Sequence, residues 1–211
     1  FIPFSEIKAL PGHIGEKYID KYSAFAKGTR TEVEKAVKLS SKLGKKAQKE
    51  LGKKAGSIVT EAIETGQKTG NKIVDQIIDF INQQHKSFLE AEKGRELIEA
   101  EMPDYLRQFL TKEGRAFLEK GGASITGELS KPLRVRTPFA QTRQLQGTIK
   151  EINAYFKKFH GVKLFEEDAF KAFAARKAEH IKAIRTYDFL TEVGREFGKP
   201  AQYVTKTVTN P

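Results

Sequence analysis

Apolar and small residues recur at helical steps through the middle of the chain: Leu43, Ala47, Leu51, Ala55, Ile58, Ala62, Gly66, Gly70, Ile73, Ile77 and Ile81. The spacing repeats every four turns at about 3.75 residues per turn, slightly more than a straight α-helix. It predicts one long amphipathic helix over 29–101, or two nearly collinear ones. A partner following the stripe would wind right-handedly, so a sustained left-handed coiled coil is disfavoured. Thr29 or Thr31 is the expected N-cap, with Glu32 and Glu34 in the first turn to suit the helix dipole. Five glycines (Gly44, Gly52, Gly56, Gly66 and Gly70) interrupt the pattern, each costing ~1 kcal/mol relative to alanine. A break near 52–56 or 66–70 is therefore expected, unless another backbone packs closely against the small residues.

Residues 1–28 mix proline, glycine and short apolar clusters, which predicts an irregular N-terminal arm leading into a short helix. Its aromatic and aliphatic residues Phe1, Ile2 and Phe4 are candidates for docking on protein, or for packing on the chain's own helices. In 102–147, a short helix carrying Tyr105, Leu106, Phe109, Leu110, Phe117 and Leu118 is predicted to stop at Gly121–Gly122. An extended loop with a short strand at 133–136 follows. The segment 148–211 reads as helices over 148–159 and 166–177, a turn at His160–Gly161, a further helix ending near Phe197–Gly198, and a short tail. Phe170, Phe173, Phe189 and Phe197 line one face of two helices expected to meet near Glu179–His180, available for a core or for protein docking, with Arg176 and Asp188 paired across it. The fold class is mainly α: an extended multi-helix architecture with an irregular arm, a Pro/Gly-rich basic loop and a C-terminal tail.

Composition supports helices and points to an anionic partner. Charged residues make up 31% of the 211 positions and hydrophobic ones 38%, a balance that favours a high ratio of surface to core. A net charge of +11 draws a protein toward phosphates, anionic lipid or an acidic protein surface. Between Lys27 and Lys54 ten basic residues face three glutamates. On a helical projection Lys35, Lys38, Lys42, Lys45, Lys46, Lys49 and Lys53 fall within about 100° of arc, opposite the Leu/Ala stripe. Such a ribbon suits sequence-independent phosphate contact, or is the solvated outer face of a packed helix. A membrane-surface role is weaker, because the apolar face lacks bulky aromatic residues. The loop supplies a second basic patch: Lys131, Arg134, Arg136 and Arg143 lie in a stretch without acidic residues and suit a phosphate backbone or an acidic groove on a partner.

Chemistry is sparse by comparison. With no cysteine, disulfides, thiolate metal sites and cysteine nucleophiles are excluded. The four histidines have no metal-binding helical spacing and are expected at the surface or in turns. Phosphate-cradling glycine loops and nucleophile elbows are missing. The run Glu166, Glu167, Asp168 is explained by capping of a helix N-terminus rather than by a metal. No enzyme, cofactor, metal site or small-molecule substrate is inferred.

One stretch carries a resemblance. In LFEEDAFKAFAARKAEHIKAIRTYDFLTEVGREFGKPAQ, residues 164–202, an acidic turn is followed by Ala175–Arg176, Ala183, Thr186, Asp188–Phe189–Leu190 and a closing Phe197–Gly198. This resembles segments of tailed-bacteriophage virion proteins, the minor head proteins and the large polyvalent internal proteins. The resemblance implies a non-enzymatic virion component near the portal or the head interior, with other virion proteins or copies of itself as partners and packaged DNA against its basic surfaces. A start at Phe1 would fit a processed or partial chain. The alternatives are a stand-alone, sequence-nonspecific nucleic-acid-binding protein, or a membrane-active helical protein of genome delivery.

Overall fold

The computed structural model describes residues 12–98, 109–122 and 148–197. These residues are mainly helical. Helix α1 is Gly12–Leu51 and runs through a 3-10 turn, Gly52–Lys54, into α2, Ala55–Thr65. Helices α3 (Lys72–Lys93), α4 (Lys112–Phe117, extended by a π-type turn Leu118–Gly122), α5 (Ile149–His160) and α6 (Ala169–Phe197) follow. The chain groups into two units, one of Phe1–Lys35 with Ala178–Pro211 and one of Ala36–Lys177.

In the first unit the early turns of α1 pair with the later turns of α6. Tyr18, Phe189 and Val193 are buried together, with Tyr22, Phe25 and Leu190 packed around them. Phe25 stacks on Phe189 with ring centroids 4.7 Å apart. Charges close the edges: Lys17 and Lys21 pair with Glu196, Lys21 also with Glu192, and Arg185 with Glu32. Lysine neighbours hold the Glu196 carboxyl below its ordinary pKa, and both glutamates raise that of Lys21. Thr29 and Thr31, expected to start a helix, lie inside α1. Their hydroxyls donate to the Phe25 and Lys27 carbonyls one turn back, so they cap nothing.

The second unit has a larger core, in which Ala47, Ala55, Val59, Ile63, Val74, Ile77, Ile78, Ile81, Phe88, Ile149, Ile152, Phe156, Leu164, Phe170 and Phe173 are buried as one cluster. The one or two helices expected over 29–101 are three among the described residues, broken at both of the expected places, because Gly52, Gly66 and Gly70 take left-handed backbone. Gly52 (φ 73) ends α1, and Gly66 (φ 69) terminates α2. Asn71 then restarts the chain as N-cap of α3, accepting from the Ile73 and Val74 N–H groups at 3.0 and 3.2 Å. The Asn71 amide also donates to Glu50 at 3.1 Å, bringing the start of α3 back to the end of α1.

The C-terminal helices follow the expected signals closely. Thr148 and Glu151 form a capping box on α5, and Gly161 (φ 70) ends it. Asp168 accepts from the Phe170 N–H at 2.9 Å at the start of α6, so the acidic run does serve a helix N-terminus. Helix α6 then continues through Glu179–His180, where two helices were expected to meet. Phe109 and Leu110, expected in a helix, are extended: the Glu166 N–H donates to the Phe109 carbonyl at 2.8 Å and the Thr111 N–H to that of Leu164 at 3.0 Å. The buried Asn153 amide locks this strand-like pair, donating to the Phe165 carbonyl (2.9 Å) and to Glu167 (2.8 Å) and accepting from the Phe165 N–H (2.8 Å).

Candidate nucleic-acid interface

Helix α1 is two-sided in the second unit. Ala36, Ser40, Gly44 and Ala47 are buried, and Leu39, Leu43 and Leu51 are half-buried against the core. The Ser40 hydroxyl donates to the Phe170 carbonyl. A Cβ placed on Gly44 would lie 3.2 Å from the Phe170 ring, so the small residue sets how closely α6 approaches. On the opposite side Lys38, Lys42, Lys45, Lys46 and Lys49 are all exposed. None of the five takes part in an ion pair with a described residue.

Of the two remaining members of the expected ribbon, one keeps to this helix and one does not. Lys35 is exposed on the same helix but is the last residue of the first unit. Lys53 lies in the 3-10 turn beyond Gly52, where α1 has ended and its projection no longer applies. The doubled LGKKA unit thus places its glycines in two unlike settings, Gly44 under a phenylalanine ring and Gly52 at a helix break. Lys131, Arg134, Arg136 and Arg143 of the second basic patch, and Phe1, Ile2 and Phe4 of the arm, lie outside the described residues.

The other candidate docking residues need correction. Phe170 and Phe173 are buried in the core of the second unit, and Phe189 in that of the first. Their side chains therefore have no free face to offer a partner. Phe197 closes α6, and its side chain lies outside the described atoms. Among the described residues the exposed aromatic ones are Tyr155 and Phe159 on α5, at 41% and 59% exposure, with ring centroids 4.8 Å apart and the Lys158 ammonium 5.2 Å from the Phe159 ring. Sequence reading passed over them. Their spacing of four puts both on one helix face, but nothing local distinguishes that face from a buried one.

A buried polar cluster also escaped the sequence. Arg176, expected to pair with Asp188, instead reaches Glu92 of α3: its two terminal nitrogens donate to the two carboxylate oxygens at 2.8 and 2.7 Å. The Glu92 side chain is 1% exposed and that of Arg176 10%. Arg176 and Lys177 both lie over the Phe88 ring, at 5.6 and 5.8 Å, and burial lowers the Lys177 pKa. His85, expected at the surface, packs between Phe88 and Phe173 with its Nε2 buried and unpartnered among the described residues. Burial, and then the Arg176 cation, bring its pKa down to about 4. The cluster ties α3 to α6, so it is a structural fastening. Among the described residues no group of three or more histidine, aspartate or glutamate side chains is placed to hold a metal ion. No helix there is long and apolar enough to cross a membrane.

Neither a protein-family model, nor a curated protein, nor a solved structure matches this chain.

Proposed function

We propose that this chain is a non-catalytic helical binding protein that grips nucleic-acid phosphates, without reading sequence, through the lysine face of α1. The carrying observation is that five exposed lysines without ion-pair partners among the described residues share one side of a helix whose other side is fixed in the core. Lysines already paired would have to give up their carboxylates before meeting phosphate. These need only release water and counterions, a gain that grows with each phosphate neutralised. Lysine also suits contact without sequence reading, since its ammonium acts as a point charge rather than the bidentate fork with which arginine reads guanine.

A place in a bacteriophage virion, against packaged DNA near the portal or head interior, is the biological setting suggested by the resemblance over 164–202. That setting rests on the resemblance alone. Phe189, which supplies part of its pattern, is a residue that any helix with a buried side requires. The lysine face stands independently of it.

The test is binding of a fluorescent 30-base-pair duplex by the wild-type chain and by Lys42→Gln/Lys45→Gln/Lys46→Gln/Lys49→Gln. Removing four of five contacts is expected to weaken binding at least tenfold at moderate salt. The control is Lys157→Gln/Lys158→Gln on α5, which is expected to stay within about twofold of wild type. Equal affinities for all three proteins would remove the assignment.

A further inference from the structure

Resting on the phosphate reading just given, we infer that the lysine face is built for duplex nucleic acid rather than for a single strand. Sites that hold single strands combine positive charge with aromatic side chains on which successive bases stack. The exposed arc of α1 in the second unit has no such platform: besides lysines, its exposed positions are Val37, Ser41, Gln48 and Glu50. Bases splayed from a single strand would meet nothing there to stack on, whereas a duplex keeps its bases paired and asks only for cations along its phosphates.

The dimensions agree. From Lys38 to Lys49 the helix rises about 17 Å, enough to cross a B-form major groove about 12 Å wide and reach the phosphate rows on both of its walls. On a helix of radius about 6 Å, the roughly 100° arc sets the outer lysine rows about 9 Å apart before their flexible stems extend. The helix is anchored as well. Buried Ser40 is tied to the Phe170 carbonyl and Gly44 lies against the Phe170 ring, so this stretch of α1 is held along its back by α6. A helix so held can lie across a regular duplex. A flexible single strand gains nothing from it.

Tyr155 and Phe159 supply the competing platform, because exposed rings beside Lys158 are the nearest thing to a single-strand site among the described residues. The experiment measures anisotropy at one salt concentration with a labelled duplex, its isolated strand, and vesicles of 3:1 phosphatidylcholine and phosphatidylserine as competitor. Wild type, the four-lysine variant and Tyr155→Ser/Phe159→Ser are compared. The expected result is duplex binding at least tenfold tighter than single-strand binding, lost in the lysine variant and kept in the aromatic one. Comparable or tighter single-strand binding overturns the inference, most sharply if the aromatic variant abolishes it. Displacement of duplex by vesicles at similar phosphate concentration overturns it in favour of a lipid surface. If no polyanion binds, the phosphate reading itself fails and the duplex preference with it.

Discussion

Replacing Arg176 by methionine removes the bidentate cation that faces a buried carboxylate. Glu92 is 1% exposed and its two oxygens receive the guanidinium at 2.8 and 2.7 Å. Methionine fills much of the same volume against Phe88, so packing loss is small and the cost is mainly that of a buried carboxylate stripped of its bidentate cation, about 3–5 kcal/mol. For a chain of 211 residues, each kcal/mol shifts Tm by about 2–4 °C, so Arg176→Met is expected to melt at least 6 °C lower. The pair itself is a different quantity, because desolvation offsets most of its attraction. The double variant Glu92→Leu/Arg176→Met is therefore expected to recover much of the loss, bringing it within about 2 kcal/mol of wild type. Urea titrations followed by circular dichroism give all corners of the cycle. A second readout is the His85 imidazole, followed by NMR: removing the nearby cation lets its pKa rise from about 4, but burial, the larger cause, keeps it below the ordinary 6.5. The reasoning is refuted if Arg176→Met costs less than 1 kcal/mol, or if the two single losses simply add.

His85 also predicts how stability responds to pH. Its folded pKa of about 4 lies below the ordinary 6.5, so the unfolded chain binds the proton first and the folded state loses stability as pH falls from 6.5 toward 4. The full drop is worth about 3 kcal/mol, and His85→Leu is expected to flatten this part of a stability–pH curve measured by urea titration. Gly56→Ala would put a Cβ 2.7 Å from the Asp168 carboxyl carbon, displacing the residue that caps α6. A loss of about 1–3 kcal/mol is expected by thermal melting, and no change would show that the contact is loose. Asn153→Ala leaves the Phe165 N–H and carbonyl without their partner inside the core. Chemical denaturation is expected to show a cost of about 2–3 kcal/mol, whereas a loss below 0.5 kcal/mol would contradict the role given to that amide.

What the chain made legible is what local chemistry decides. Thr148, Glu151 and Gly161 bracket α5 with signals that act within one turn, and Asp168 opens α6 in the same way. The lysine face was visible because its period is that of a single helix with one side in the core. Helix starts were misplaced where a side chain had two local options. Thr29 and Thr31 are able to cap or to bond back to a carbonyl one turn earlier, and they do the latter. The breaks at Gly52 and Gly66 fall where they were expected, but the sequence left open whether both occur, because a stripe of small residues hides the difference between close packing and a left-handed break. Gly44 and Gly52 carry the same letter in the same motif, yet Gly44 lies under the Phe170 ring and Gly52 takes left-handed backbone. The Arg176–Glu92 pair and the burial of His85 were beyond reach, because they depend on α3 meeting α6 across 84 residues of sequence. The continuous α6 was missed for a related reason. Its early turns bury Phe170 and Phe173 in one core and its later turns Phe189 and Val193 in another, so its apolar residues do not keep to a single stripe.

The measurement that bears most directly on the lysine face is the dependence of duplex affinity on salt. If all five lysines from Lys38 to Lys49 contact phosphate, a plot of log affinity against log salt has a slope of about −4 to −5, and each Lys→Gln substitution reduces it by about 0.9. The four-lysine variant is then expected near −1. A wild-type slope close to zero, or one that the four substitutions leave unchanged, would contradict the account.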